Sequence, residues 1–202
     1  MKICLSLDDF SAVNHRMDLL SKLKFIYPNF KVSLFTVPID TPQDWGMYQI
    51  RKENLAMIKD NLDWIQIIPH GLYHNHGREM QINYEEFKKV IPRIEEAFNK
   101  DGLPFEKGFK APHWRWTEGV VQVLDELGWW GAIDPRQKMP CPKKFYKFTH
   151  TLDNFPLNEE VLKLHGHIYG TKNDLGECSR SLLPYKFKEA TWHYVTEFLQ
   201  TK

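Results

Sequence analysis

Short apolar runs alternate with amphipathic stretches from the first residues onwards, and this alternation leaves the chain few folds to choose from. "KICLSL" (2–7) reads as a buried strand and "NHRMDLLSKLKFIY" (14–27) as a helix, with Met17, Leu20, Leu23 and Phe25 near one side before Pro28 stops it. "FKVSLFTVP" (30–38) is a second apolar, β-branched run, "QIRKENLAMIKDN" (49–61) has helical spacing, and "WIQIIP" (64–69) is a third strand. Strand, helix, strand, helix, strand is the order of parallel α/β units.

The second half continues the pattern. "NYEEFKKVIPRIEEAFNKDG" (83–102) opens with Asn83 as N-cap and Glu86 three residues on, contains Pro92 and closes at Gly102. "KGFKAP" (107–112) reads as a strand, "TEGVVQVLDELG" (117–128) as a helix capped by Thr117 and ended by Gly128, and "WWGAID" (129–134) as the next strand. The Pro- and Lys-rich segment 135–157 has no clear assignment. "EVLKLHGH" (160–167) is a late strand, and "KFKEATWHYVTEFLQ" (186–200) has the spacing of a closing amphipathic helix.

Composition narrows the function classes. A chain of 202 residues with 42% hydrophobic content supports one well-buried core and is short for two domains. With 27 Lys and Arg against 26 Asp and Glu, its net charge of +1 gives no electrostatic case for nucleic acid or an anionic membrane surface. No stretch approaches the roughly 18 apolar residues of a membrane span, and "MKICLSLDD" is too short and too soon polar for a signal peptide. Cys4, Cys141 and Cys178 are odd in number and widely spaced, which argues against a disulfide framework and a thiolate zinc site. A soluble, cytoplasmic protein is the expectation.

Polar residues stand where the apolar strands end: Asp8 and Asp9, His70, Lys110 to His113, Asp134, and His165 with His167. In parallel α/β architectures, barrels and open sheets alike, the C-terminal ends of strands carry the active site, so the recurrence points to an enzyme. In "PHGLYHNHG" (69–77), His70 and His74 are four apart and converge on one metal if the segment coils into a turn, for which Gly71 supplies the freedom. Surface or loop histidines are the competing explanation, and His76 fits an outer or exposed position. One of Asp8 and Asp9 is explained by helix capping, but two are more than a cap requires. A His-His-Asp set leaves an open position for water on a zinc-like ion, with the second carboxylate available as base.

Taken together, these motifs resemble the polysaccharide deacetylase (NodB-homology) superfamily, the family 4 carbohydrate esterases, over residues 3 to about 168. "SLDDF" resembles T-F-D-D-G, which implies Asp8 as catalytic base and Asp9 as metal ligand. "HGLYH" resembles H-[ST]-x-x-H and makes His70 and His74 the other two protein ligands. "FKAPHW" is similar to the R-x-P-Y segment, and "WWGAID" to the strand bearing a further aspartate, here Asp134. "LKLHG" is similar to L-x-L-x-H, which makes His165 the catalytic acid, with His167 as the alternative register. Four positions depart from the pattern, and Asp134 lacks the tryptophan that follows it there. Phe10 stands for Gly, Gly71 for Ser or Thr, and His113 for an aromatic residue; Lys110 replaces the arginine that holds the base, keeping its charge without the planar fork.

The resemblance implies an α/β fold, a distorted or incomplete (β/α) barrel of the polysaccharide deacetylase type, as a single catalytic domain over 1–202. It implies a divalent metal, zinc first, with cobalt, iron or nickel also suited to the ligand set. The implied reaction is hydrolytic removal of an N-acetyl group from an amino sugar. A cytoplasmic amidohydrolase acting on a small non-sugar amide, and a non-catalytic, metal-containing carbohydrate-binding protein, are the alternatives. Trp45, Tyr48, Trp114 and Trp116 are candidates for a sugar-stacking wall or, equally, for completing the core; Trp64 and Trp129 belong to the core.

Overall fold

The structure, a computed structural model, describes residues 1–11, 15–38, 52–74, 80, 82–134, 141–168, 174–176, 187 and 189–202. Trp45, Tyr48, His76 and Cys178 lie outside them. Its first strand, β1 (Lys2–Phe10), is followed by α1 (Met17–Ile26), β2 (Val32–Thr36), α2 (Lys52–Lys59), β3 (Ile65–Pro69), α3 (Tyr84–Asp101) and β4 (Gly108–Phe109). Then come α4 (Glu118–Leu127), β5 (Trp130–Ile133), β6 (Lys144–Lys147), β7 (His150–Thr151), β8 (Val161–His167), β9 (Thr191–His193) and β10 (Gln200–Thr201). The segment without a clear assignment in the sequence thus holds two short strands, β6 and β7.

The strands form two sheets. One has the order β3-β2-β1-β8-β7, with β9 also paired to β1, and the other the order β10-β6-β5-β4. Backbone bonds from Glu106 N to Ile67 O (2.9 Å) and from Lys110 N to Pro69 O (3.1 Å) tie the β4 segment to β3. The result is an α/β fold that curves as an incomplete barrel, as the motifs implied. Alternation along β1 divides its side chains between two cores. Ile3, Leu5 and Leu7 join the large cluster shared with α1, α3 and α4. Cys4 joins a smaller cluster with Phe35, Ile68, Trp130, Ala132, Tyr146 and Phe148, to which both sheets contribute. Gly108 permits the close approach of β4 and β5, since a Cβ there would lie 2.2 Å from the Trp130 ring.

Helix ends follow their sequence signals. Asn83 and Glu86 form a reciprocal capping box on α3, Thr117 accepts from Val120 N at the start of α4, and Gly102 and Gly128 end these helices in left-handed conformations. Pro92 lies inside α3. Two expectations are corrected. Phe25 is 88% exposed, because the buried stripe of α1 is Met17, Leu19, Leu20 and Leu23. The closing helix is absent: β9, a single 3-10 turn (Val195–Phe198) and β10 occupy that stretch. Its apolar residues serve different cores, Trp192 packing on Tyr27 and Phe30 in the large one and Val195 entering the small one. Backbone demand favours the strand as well. β2 pairs with β1 only from Ser6 onwards, and β9 pairs with the Lys2–Cys4 stretch that would otherwise be an open edge.

Candidate active site

A bulge in β1 builds the centre of the site. Leu7 pairs with Leu34 and Phe10 with Thr36, so β1 holds one residue more than β2 over that interval. Asp9 takes a left-handed conformation (φ 63) there. In a regular strand Asp8 and Asp9 would point to opposite faces; the bulge lets both carboxylates reach the C-terminal end of the sheet. Asp8 is therefore part of β1 and not a helix cap.

Asp9, His70 and His74 come together as the sequence suggested, their ligand atoms lying within 4.8 Å of one another. Gly71, at φ 75, turns the chain away from β3 so that His74 comes round to the same point. Asp9 Oδ1 lies 3.5 Å from His70 Nε2 and 3.1 Å from His74 Nε2. His70 Nδ1 donates to the Lys110 carbonyl at 2.9 Å, which fixes its tautomer and leaves a lone pair on Nε2 aimed at the Asp9 carboxylate. Two acceptors facing one another are what a cation satisfies, so this donor set fits a divalent metal with two imidazoles and one carboxylate. Burial holds the His70 pKa below the ordinary imidazole value despite the opposing pull of Asp9, and neutral imidazole is the ligand form. Burial also works against the Asp9 charge, but the two histidines outweigh it and hold Asp9 well below the usual carboxylate range. The His113 ring packs against His74 at a tilt, with ring centres 4.6 Å apart. His74, His113 and Trp114 all have positive φ, a concentration of unfavourable backbone conformations at one place.

A second set of charges lies beside the first. Lys110 and Asp8 form a buried ion pair through Nζ and Oδ2, with Asp8 Oδ1 left without a hydrogen-bond partner among the described residues. Lys110 thus takes up, beside Asp8, the position that the resemblance assigned to an arginine. Its Nζ lies 3.4 Å from the centre of the Trp114 ring and 3.3 Å from His165 Nε2. Burial pushes the ammonium pKa well down, and the nearby Asp134 at the end of β5 opposes this. His165 and His167, two apart on β8 and so on one face, approach Asp8 Oδ2 at 3.3 and 3.8 Å through Nε2. Asp8, His165 and His167 have the spacing of a second metal set. The Lys110 ammonium already neutralises Asp8 there and would repel a cation.

Trp116 is 2% exposed in the core, and the half-buried Trp114 lies against Lys110, Phe148 and His165, so both do structural work near the site. Trp64 and Trp129 are core residues as expected. Ser6 and Phe148 were missed. Ser6 Oγ contacts His165 Nδ1 at 3.2 Å, and the Phe148 ring stacks on His165 at 4.6 Å. Strand alternation pointed to Ser6, two residues before Asp8 on the same face. No sequence signal marked Phe148, which follows β6 in the segment of unclear assignment.

No family model matches the chain, and no curated protein matches it. Solved structures do. The chitin deacetylase of Colletotrichum lindemuthianum is 16% identical, with 96% of this chain and 85% of that one covered and a TM-score of 0.62. An acetyl xylan esterase of family 4 from Clostridium thermocellum, solved with a cobalt ion, is 14% identical over 98% of this chain and 89% of that one, at a TM-score of 0.63. A family 4 pseudoenzyme from Bacillus anthracis is 11% identical over 97% of this chain and 64% of that one, at a TM-score of 0.58. The fold of this chain is that of the family 4 carbohydrate esterases, the polysaccharide deacetylases that its motifs resemble.

Proposed function

We propose that the protein is a metal-dependent hydrolase that removes an N-acetyl group from an amino-sugar substrate. The observation that carries this reading is the pairing of a cation-ready set, Asp9, His70 and His74, with a separate carboxylate, Asp8, held by Lys110 and with one oxygen free. A divalent cation bound by Asp9, His70 and His74 would polarise the acetyl carbonyl and acidify the attacking water. Zinc suits these ligands, as do cobalt, iron and nickel.

Asp8 accepts the proton of the water through Oδ1, while Lys110 fixes Oδ2 and so aims the free oxygen. A histidine of β8 protonates the leaving nitrogen; the sequence pattern gives this part to His165, with His167 the other candidate on the strand. Backbone N–H groups beside His113 are the candidates for the oxyanion. The buried thiol of Cys4, pushed up to about 12 by burial, takes no part. With Cys141 also free, the cysteines suit a reducing compartment such as the cytoplasm. No helix among the described residues is long and apolar enough to cross a membrane.

A non-catalytic, metal-containing carbohydrate binder is the second reading, favoured by the likeness to a pseudoenzyme of the same fold. Binding alone has no need of the Asp8–Lys110 pair, which favours the hydrolase. A small-molecule amidohydrolase would use the same groups. Acetate release from a panel of N-acetylated sugars and small acetamides, with divalent metal added, separates the three. Release from sugars supports the proposal, release from acetamides alone moves the substrate class, and sugar binding without release leaves the binder.

A further inference from the structure

The two histidines that face Asp8 have different surroundings. His165 is 2% exposed, with Phe148 stacked on one side of its ring and the edge of Trp114 against it. Ser6 Oγ donates to the Leu164 carbonyl at 3.1 Å, and a hydroxyl has one proton to give, so its contact with His165 Nδ1 at 3.2 Å is accepted from the ring. This arrangement assigns the proton of His165 to Nδ1. At Nε2 stand the Lys110 ammonium, which only donates, and Asp8 Oδ2, each 3.3 Å away; Lys110 already pairs with that oxygen, and the His165 lone pair accepts another of its protons. Both ring nitrogens are thus committed in the neutral form. An imidazolium here would put a second positive charge against Lys110 inside an aromatic box.

His167 is placed differently. It is the last residue of β8, its side chain is 19% exposed, and its Nε2 lies 3.8 Å from Asp8 Oδ2. In register it sits directly beside Asp8, whereas His165 sits beside Ser6, one layer deeper.

We propose that His167 is the proton donor to the leaving nitrogen, and that His165 is a neutral positioning residue whose Nε2 holds Lys110 against Asp8. This rests on the hydrolase reading above. Water adds its hydroxyl to the acetyl carbon and its proton passes to Asp8. The C–N bond then breaks as His167, acting as imidazolium, gives its Nε2 proton to the nitrogen and becomes neutral imidazole, releasing the amine and the carboxylic acid. The proton on Asp8 returns to His167, its neighbour, and restores the starting state. Lys110 keeps its protons throughout.

The test has two arms on the zinc-supplemented protein. Long-range proton–nitrogen NMR of the imidazoles, with His165 assigned by its loss in His165→Gln, is expected to show His165 protonated on Nδ1 alone at neutral pH. A proton on its Nε2 overturns the positioning role. In the kinetic arm, an N-acetylated chitooligosaccharide is compared with 4-nitrophenyl acetate, whose leaving group needs no proton. His167→Gln is expected to slow the amide at least about 100-fold and the ester less than about 10-fold, since general acid catalysis is typically worth 100- to 10,000-fold. His165→Gln is expected to slow both by the same factor. The reverse pattern gives the donor role to His165. A wild type inactive on both substrates overturns the hydrolase reading and the donor role with it, while the NMR arm still decides the state of His165.

Discussion

Lys110 accepts the Nδ1 proton of His70 on its carbonyl at 2.9 Å, while its ammonium pairs with Asp8. One residue thus orients a histidine of the proposed metal set with its backbone and holds the neighbouring carboxylate with its side chain. Its place immediately after β4, bonded through its own N–H to Pro69 O, fixes both contacts to the sheet. The two halves of the proposed site, the Asp9, His70 and His74 set and the Asp8 carboxylate, are joined through it.

Asp8→Asn should separate the halves. The Asp9, His70 and His74 set stays intact, so bound metal is expected at wild-type stoichiometry while acetate release falls by at least about 100-fold. His74→Ala should lose both. Metal analysis beside a turnover assay reads the difference, and a fully active Asp8→Asn enzyme removes Asp8 from the chemistry.

Lys110→Met leaves the Asp8 carboxylate buried without its partner, and breaking a buried pair in this way costs about 3–5 kcal/mol. The double variant Asp8→Asn, Lys110→Met removes both charges and should recover much of that loss. Urea unfolding of the single and double variants checks this. Equal stability of Lys110→Met and wild type would mean that the pair contributes nothing.

The metal-free protein should lose stability in mild acid. Burial, the largest cause for both, lowers the pKa of His70 and places that of His165 well below the ordinary 6.5, with Lys110 adding to the effect at His165. Below about pH 6.5 the unfolded chain takes up protons that the folded one does not, so stability falls with pH by up to about 1.4 kcal/mol per unit for each histidine. Above that range these two groups contribute no slope. Unfolding midpoints at several pH values should show the decline, and His165→Gln should make it shallower.

Gly71→Ala puts a Cβ at φ 75, a conformation that costs an L-residue about 1–2 kcal/mol. The turn it disturbs sets His74 against Asp9, so weaker metal retention should accompany the loss of stability. Thermal unfolding and metal titration of this variant measure the two effects. Wild-type behaviour in both would show that the turn does not depend on glycine.

Much of this site was legible because the chemistry-bearing residues sit at strand ends, where short apolar runs give way to polar pairs. Asp8, Asp9, His70 and Lys110 stand out that way, His74 by its spacing four residues after His70, and the capping signals of α3 and α4 located the helices between them. The bulge that lets adjacent aspartates share one end of the sheet left no mark in the sequence, since it depends on pairing with β2. The C-terminal stretch misled because Trp192, Val195 and Leu199 fall at i, i+3 and i+7, the spacing of one helical face, while Phe187 lies five residues before Trp192. Their destinations lie in two different cores, which local spacing does not encode. The choice between His165 and His167 was open for a similar reason: it rests on Ser6, Phe148 and Trp114, brought together only by the fold.

The most direct measurement is metal content per chain, for protein purified without chelator and then exposed to zinc, compared with Asp9→Ala and His74→Ala. The expected result is about one ion per wild-type chain, lost in both variants, as their donor set requires. A wild-type chain that neither retains nor takes up metal would contradict the account at its centre and leave Asp9, His70 and His74 as neighbours without a ligand.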